Sequence, residues 1–104
     1  MKPISAKRRK LLAIRRAVVA DAMKRAGGRC QAFYAWPLIK CSGPLDAHEV
    51  IPRSAWSGGW LVLDNIRIVC RTHHDLISEM PEHAHGYGLH GYSWERPGGH
   101  LGVA

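Results

Sequence analysis

Three cysteines and one histidine constrain the fold of this chain more than any other feature. A chain of 104 residues builds a marginal hydrophobic core, and small domains often add a metal or disulfides. Three thiols cannot pair completely, and no stretch has the character of a secretory signal. We therefore expect a reducing cytoplasm and cysteines that serve as metal ligands. The four candidate ligands are Cys30, Cys41, Cys70 and His73.

Thiolates and imidazole suit Zn²⁺, and four such ligands complete a tetrahedral structural site. The short spacing of Cys70 and His73 is typical of a zinc knuckle, whereas Cys30 and Cys41 are further apart than usual. The alternative is three buried thiols that act as small hydrophobic side chains. Because all four residues flank the same two predicted strands, zinc is the favoured interpretation.

Positive charge is concentrated at the N-terminus. Residues 1–29 hold ten Lys/Arg and one acid, a net charge of +9, whereas residues 30–104 hold five Lys/Arg and seven acids, a net charge of −2. Such a segment suits a polyanion, with nucleic acid the first candidate and an anionic membrane surface the second. A merely solvated helix surface needs fewer charges. The residues expected to contact DNA phosphates are Lys7, Arg8, Arg9, Lys10, Arg15, Arg16 and, further along, Arg53.

Hydrophobic spacing and turn residues predict an α+β domain in three parts. Residues 1–29 form a basic helix that runs from about Ser5 to Ala26 and stops at Gly27. Residues 30–80 form the zinc-stabilised core. Residues 81–104 form a tail rich in glycine and histidine that packs partly on the core. No run of about 18 apolar residues is present, so no segment is expected to span a membrane.

Within the core, residues 45–51 and 66–70 have strand character, and residues 71–80 are expected to form a short helix. Several large apolar side chains of the loop and the tail are expected to fill this small core: Phe33, Tyr34, Trp36, Leu38, Tyr87, Leu89, Tyr92 and Trp94.

A second set of polar residues, His48, Glu49, Asn65 and His74, lies on or beside the same strands. Two imidazoles brought together can hold a catalytic divalent ion, and a nearby carboxylate can take a proton from an attacking water. Neighbouring residues on an ideal strand point to opposite faces. A site that uses both His48 and Glu49 therefore needs a strand end or a bend, and Pro52 suggests one.

The ordered set of motifs resembles the HNH nuclease family, and in particular the small zinc-bound HNH endonucleases of bacteriophages. The motifs are Cys30 with Cys41, His48-Glu49-Val50-Ile51-Pro52-Arg53-Ser54, Gly58-Gly59, Asp64-Asn65-Ile66, and Cys70-Arg71-Thr72-His73-His74. The resemblance implies a ββα-metal (HNH, or His-Me finger) fold. It also implies metal-dependent hydrolysis of DNA phosphodiester bonds, by nicking or double-strand cleavage, and a role beside the terminase in phage genome packaging.

Residue by residue, the resemblance implies that His48 and His74 bind a catalytic ion such as Mg²⁺, Mn²⁺, Ni²⁺ or Zn²⁺. Asn65 matches the residue that pins the loop between the strands, and Arg53 lies where a basic residue meets the phosphate backbone. His73 stands where the family usually has a cysteine, which preserves a zinc ligand.

The second departure from the family pattern is Glu49, which occupies the place of the general-base histidine. Glu49 can serve as the base, or His85 or His90 can reach into the site, or the protein is a weak or inactive zinc-containing DNA-binding module. Position 78 is Ser78 where many relatives have a further histidine. A third class is a membrane-surface or RNA-binding basic protein with a zinc core.

Overall fold

The computed structural model describes residues 3–97. It is a small α+β domain with one two-stranded antiparallel sheet, as predicted. The main elements are α1 (Ala6–Ala26), β1 (Leu45–Glu49), β2 (Ile66–Cys70), α2 (Arg71–Glu79) and α3 (Pro81–Gly86). No helix within residues 3–97 has the length and apolar character needed to cross a membrane.

Helix α1 begins and ends where its capping residues predict. The Ser5 hydroxyl accepts a hydrogen bond from the Arg8 N–H at 3.1 Å, which satisfies one of the free donors of the first turn. Gly27 ends the helix in the left-handed conformation with φ of 67°, which glycine adopts without a steric penalty. The Arg25 guanidinium donates to the carbonyls of Leu63 and Ile66, so the last turns of α1 are tied to the start of β2.

The sheet lies between α1 and a second layer formed by α2, α3 and the tail. On one face, Ala22 of α1 packs on Ile66 and Ile68. On the other face, Val69 and Ile77 belong to a cluster that also holds Cys30, Ala32, Ala35, Trp36, Cys70, Ala84 and Leu89. Because strand side chains alternate between faces, this layering decides which polar side chains of β1 face α2.

The outer edge of β2 and the chain just beyond β1 each gain extra hydrogen-bond partners. At the β2 edge, the Gln31 N–H donates to the Ile68 carbonyl at 2.7 Å, and the Gln31 side-chain oxygen accepts from the Ile68 N–H at 2.8 Å. Beyond the end of β1, the Gly91 N–H donates to the Val50 carbonyl at 2.8 Å. Single residues of the loop and the tail thus take the place of further strands.

The predicted strand over residues 45–51 is too long, since β1 ends at Glu49. The reason is Asn65, whose side chain substitutes for a strand partner beyond that point. Its oxygen accepts from the Ile51 N–H at 2.9 Å and its nitrogen donates to the Ile51 carbonyl at 3.1 Å. The chain therefore leaves the sheet at Val50 while its backbone groups stay paired.

The predicted core residues of the loop and the tail are only partly correct. Trp36 and Leu89 are buried and Tyr92 is half-buried, but five others are exposed: Phe33, Tyr34, Leu38, Tyr87 and Trp94. The loop turns its small side chains, Ala32 and Ala35, inward beside Cys30, and this leaves its larger side chains outside. Residues 98–104 of the predicted tail lie outside the described residues.

Candidate functional site

The three cysteines and His73 come together from separate parts of the chain. Cys30 and Cys41 end the loop, Cys70 is the last residue of β2, and His73 lies in the first turn of α2. One ligand atom from each lies within 4.8 Å of all the others. The His73 Nδ1 is 3.7 Å from the Cys30 sulfur, 3.5 Å from the Cys41 sulfur and 3.0 Å from the Cys70 sulfur.

These distances fit a tetrahedral zinc site. Zn–S and Zn–N bonds of about 2.3 and 2.0 Å place sulfur and nitrogen about 3.5 Å apart in a tetrahedron. The ring of His73 is fully buried, and its other nitrogen, Nε2, has no hydrogen-bond partner among the described residues. Nδ1 is therefore the ring nitrogen that the fold directs at the sulfurs. The donor set and its geometry are compatible with a Zn²⁺ site and consistent with a small metal-binding domain.

The local environment separates the pKa values of two of the thiols. Desolvation raises the pKa of Cys41 to about 12, with help from Cys30 and Cys70. Burial also acts to raise the pKa of Cys70, but hydrogen bonds from the backbone N–H groups of His73 and Ser42 outweigh it and lower that pKa to about 6. A cluster that stabilises one thiolate and resists a second favours a cation that neutralises them together.

The second set of residues brings two imidazoles together. The ring centroids of His48, on β1, and His74, on α2, lie 5.1 Å apart. The His48 Nε2–H donates to the Leu89 carbonyl at 2.6 Å, and the His74 Nδ1–H donates to the Asp46 carboxylate at 3.3 Å. Each ring thus uses one nitrogen for an oxygen partner, which fixes its orientation. The other nitrogen of each ring has no hydrogen bond among residues 3–97.

His48 is neutral at physiological pH. Burial lowers its pKa to about 4 and the nearby His74 adds to the effect, although the hydrogen bond to the Leu89 carbonyl opposes it. Neutral imidazole is the form that binds divalent metals. The free Nδ1 of His48 is therefore available as a ligand without the loss of a proton.

Asn65 holds the backbone next to these histidines. In addition to its two hydrogen bonds with Ile51, its side-chain nitrogen donates to the Gly59 carbonyl at 3.2 Å. A Cβ at position 59 would lie 2.6 Å from that nitrogen and 2.7 Å from the Trp56 ring. Only glycine permits this close approach, so the loop that leaves β1 and the turn before β2 are joined through one buried amide.

Glu49 and His48 line the same cleft although they are neighbours on a strand. The cleft has a volume of about 580 Å³ and is lined by Ala47, His48, Glu49, Pro52, Arg53, His74, Ile77, Ser78, Pro81, His90 and Tyr92. Since Glu49 is the last residue of β1 and the chain bends there, the strand end required for a shared site is present. His90 also reaches the cleft. His85 does not line it and pairs with Glu95 instead at 2.9 Å.

Two arginines hold the Glu49 carboxylate. Arg53 donates to it at 3.0 Å, and the Arg15 guanidinium lies 3.8 Å away. Arg15 also donates to the Trp60 carbonyl at 2.6 Å, and the Arg53 guanidinium lies 4.6 Å from the centre of the Trp60 ring. This network joins α1 to the rim of the cleft.

The basic residues expected to contact DNA therefore have different surroundings. Arg15 is engaged inside the protein, and its side chain is only 18% exposed. Arg53 has a side chain that is 52% exposed. The remaining five, Lys7, Arg8, Arg9, Lys10 and Arg16, are exposed on α1.

Sequence reasoning missed three groups that hold residues of the cleft in place: Asp46, the Leu89 carbonyl and Trp60. Asp46 lies two residues before His48, so strand alternation would have placed it on the same face. No sequence pattern marks the Leu89 carbonyl or Trp60 in this way. A backbone oxygen is present at every residue, and a tryptophan is as readily explained by burial in the core.

Comparisons of this chain with known protein families, curated proteins and solved structures gave no match, so the geometry of the two histidine-containing clusters is what characterises the site.

Proposed function

We propose that this protein is a metal-dependent endonuclease of the ββα-metal type that hydrolyses DNA phosphodiester bonds. The observation that carries the proposal is the convergence of His48 and His74, with ring centroids 5.1 Å apart, at a cleft that also holds a carboxylate and an arginine. A cleft with paired imidazoles, a proton acceptor and a phosphate-binding cation contains the groups that phosphodiester hydrolysis requires.

The two imidazoles would hold one divalent ion, such as Mg²⁺, Mn²⁺, Ni²⁺ or Zn²⁺, through the nitrogens that the Leu89 carbonyl and Asp46 leave free. When bound, that ion supplies Lewis-acid stabilisation of charge on the phosphate and the leaving oxygen. The protein's own share is to fix both rings. Leu89 and Asp46 accept one N–H each, and Asn65 holds the backbone at the end of β1.

Glu49 is the proposed general base, which accepts the proton of the attacking water at the strand end. Arg53 orients its carboxylate and faces the cleft, where it meets the phosphate backbone. His90, which lines the same cleft, is the alternative base. The exposed basic residues of α1 add contacts to DNA phosphates, and these contacts weaken as salt rises.

A second candidate function is a zinc-containing DNA-binding module with weak or no catalysis. Its support is that Glu49 shares its carboxylate with two guanidinium groups, Arg53 at 3.0 Å and Arg15 at 3.8 Å. A carboxylate oxygen that is already in contact with a guanidinium group is less free to face a water in the cleft.

The deciding experiment incubates purified protein with supercoiled plasmid and each of the four divalent ions. The wild type should convert plasmid to nicked or linear forms. His74→Ala should abolish this cleavage while the zinc content and the melting temperature stay at wild-type values. Plasmid that stays intact with all four ions, despite salt-dependent DNA binding, would support the DNA-binding module instead.

The resemblance to phage HNH enzymes adds a proposed partner, the terminase that packages the phage genome. Co-purification with a terminase from the same genome tests this separately from the cleavage assay.

A further inference from the structure

A second groove lies at the outer edge of β2 and shares no lining residue with the cleft. It has a volume of about 300 Å³ and is lined by Arg25, Ala26, Arg29, Cys30, Gln31, Phe33, Tyr34 and Arg67. Three of these residues are arginines, two are aromatic and none is acidic. The lining therefore has the charge and the apolar rings that suit a negatively charged ligand with planar groups.

Two arginines of this groove lie close together although their positive charges repel each other. Arg25 and Arg67 both donate to the Ile66 carbonyl, which brings two positive charges together. Burial lowers the pKa of the Arg67 guanidinium, and the charge of Arg25 lowers it further. The acidic group near them, Asp64, lies 3.6 Å from Arg25 and points into solvent. An anion seated between the guanidinium groups would relieve this repulsion.

The aromatic side chains of the groove are exposed and held in place. Phe33 is 58% exposed and Tyr34 is 44% exposed, and their rings meet edge to face with centroids 5.9 Å apart. The Tyr34 hydroxyl donates to the Tyr87 carbonyl at 3.0 Å. Both rings belong to the short turn Phe33–Ala35, three residues after the metal-cluster residue Cys30. They place two exposed apolar rings beside the positive charge.

We infer that this groove binds a single strand of nucleic acid, with bases stacked on Phe33 and Tyr34 and phosphates held by Arg25, Arg29 and Arg67. Aromatic platforms beside a basic groove bind single strands because every base has a face that can stack. A duplex hides those faces between its own base pairs, so it would contact the arginines alone. This inference goes beyond the proposed function, since it requires no catalysis and uses no residue of the cleft.

Fluorescence anisotropy of labelled 12-mers tests the groove on the full-length, zinc-loaded protein. The probes are oligo(dU), the matching RNA oligo(U) and a 12-bp DNA duplex, at one fixed salt concentration. Phe33→Ala should weaken binding of the preferred single strand about tenfold and leave duplex binding unchanged. Phe33→Trp, which retains a stacking surface, should bind like the wild type. The tighter of the two single strands identifies the sugar that the groove accepts.

The role of the arginine charge is tested with Arg29→Ala and with a matched control, Lys24→Ala, near the same end of α1. Arg29→Ala should weaken single-strand binding about fivefold, whereas Lys24→Ala, which removes the same charge outside the groove, should change it by less than about twofold because salt screens it. Zinc content and melting temperature must match the wild type in every variant.

Equal single-strand affinity in the wild type and Phe33→Ala would overturn the inference. Absence of single-strand binding would also overturn it, and would make a protein partner the better explanation of the exposed rings. Neither result depends on plasmid cleavage, so the two proposals fail independently.

Discussion

The Glu49 carboxylate, at the end of β1, lies 3.0 Å from the guanidinium of Arg53, four residues further along the chain. The residue proposed to accept a proton is thus paired with the residue proposed to contact phosphate. A DNA phosphate that approaches Arg53 competes directly with this carboxylate. Substrate binding and release of the base are therefore expected to be linked at this one ion pair.

Glu49→Gln should lower the rate of plasmid cleavage by about 100-fold or more, because a general base typically contributes that much. DNA affinity should stay equal or rise slightly, since the substitution removes a negative charge from the cleft. Cleavage rates and filter-binding affinities measured on the same preparation separate the two effects. Wild-type cleavage by Glu49→Gln, together with loss of cleavage in His90→Ala, would assign the base to His90.

Arg53→Ala should weaken DNA binding and reduce the slope of log affinity against log salt by about one, as expected for the loss of one phosphate contact. Lys40→Ala is the control, because Lys40 is exposed and does not line the cleft. It should leave the slope at its wild-type value. Identical slopes for Arg53→Ala and the wild type would show that Arg53 serves only to hold Glu49.

Cys70→Ser should leave the domain unfolded at room temperature. Structural zinc contributes apparent binding energies of about 10 kcal/mol or more, which is comparable to the whole stability of a small domain. His73→Cys should retain zinc and melt cooperatively, because a fourth thiolate is an equally good ligand. Metal analysis and circular dichroism, with and without a chelator, measure both. A wild-type melt of Cys70→Ser would disprove a structural metal.

Asn65→Ala should destabilise the protein by about 3 kcal/mol, since it leaves two backbone groups of Ile51 and the Gly59 carbonyl without a partner in the interior. Cleavage should fall at least about tenfold, because the strand end that carries His48 and Glu49 is no longer fixed. Urea denaturation and plasmid cleavage test this prediction. A variant with wild-type stability would mean that water replaces the amide without cost.

Stability should decrease as the pH falls from about 6.5 towards 4. The unfolded chain protonates His48 near pH 6.5, whereas burial lowers the folded pKa to about 4, so the unfolded state binds more protons in this window. The expected loss between about pH 7 and pH 5 is about 2 kcal/mol. Zinc ligands also titrate in acid. The useful quantity is therefore the difference in unfolding free energy between the wild type and His48→Gln at each pH. The curve of unfolding free energy against pH should be shallower for His48→Gln. Parallel curves for the two proteins would contradict a neutral, buried His48.

The convergence of the three cysteines and His73 could be predicted from sequence because ligand chemistry limits what these residue types can do in a short chain. The bounds of helix α1 could also be predicted, since Ser5 and Gly27 mark its two ends by local backbone preferences. Both predictions rest on residue types whose behaviour changes little with surroundings.

Other features depend on contacts between distant parts of the chain. The length of β1 was overestimated because the Asn65 side chain replaces a strand partner for Ile51, fourteen residues away. The bond from Arg15 to the Trp60 carbonyl joins residues 45 apart, and no local pattern marks it. Phe33 and Leu38 were expected in the core but are exposed. An apolar side chain is buried only where the backbone directs it towards the core, and the local sequence does not determine that direction.

Gln31 pairs with part of the outer edge of β2. A two-stranded sheet presents unpaired backbone groups that can recruit a neighbouring copy. Here the backbone N–H of Gln31 pairs with the Ile68 carbonyl, and the side-chain oxygen of Gln31 pairs with the Ile68 N–H. A second copy of the chain would therefore find fewer free backbone groups at this edge, even at the high local concentration that binding along a charged polymer would create.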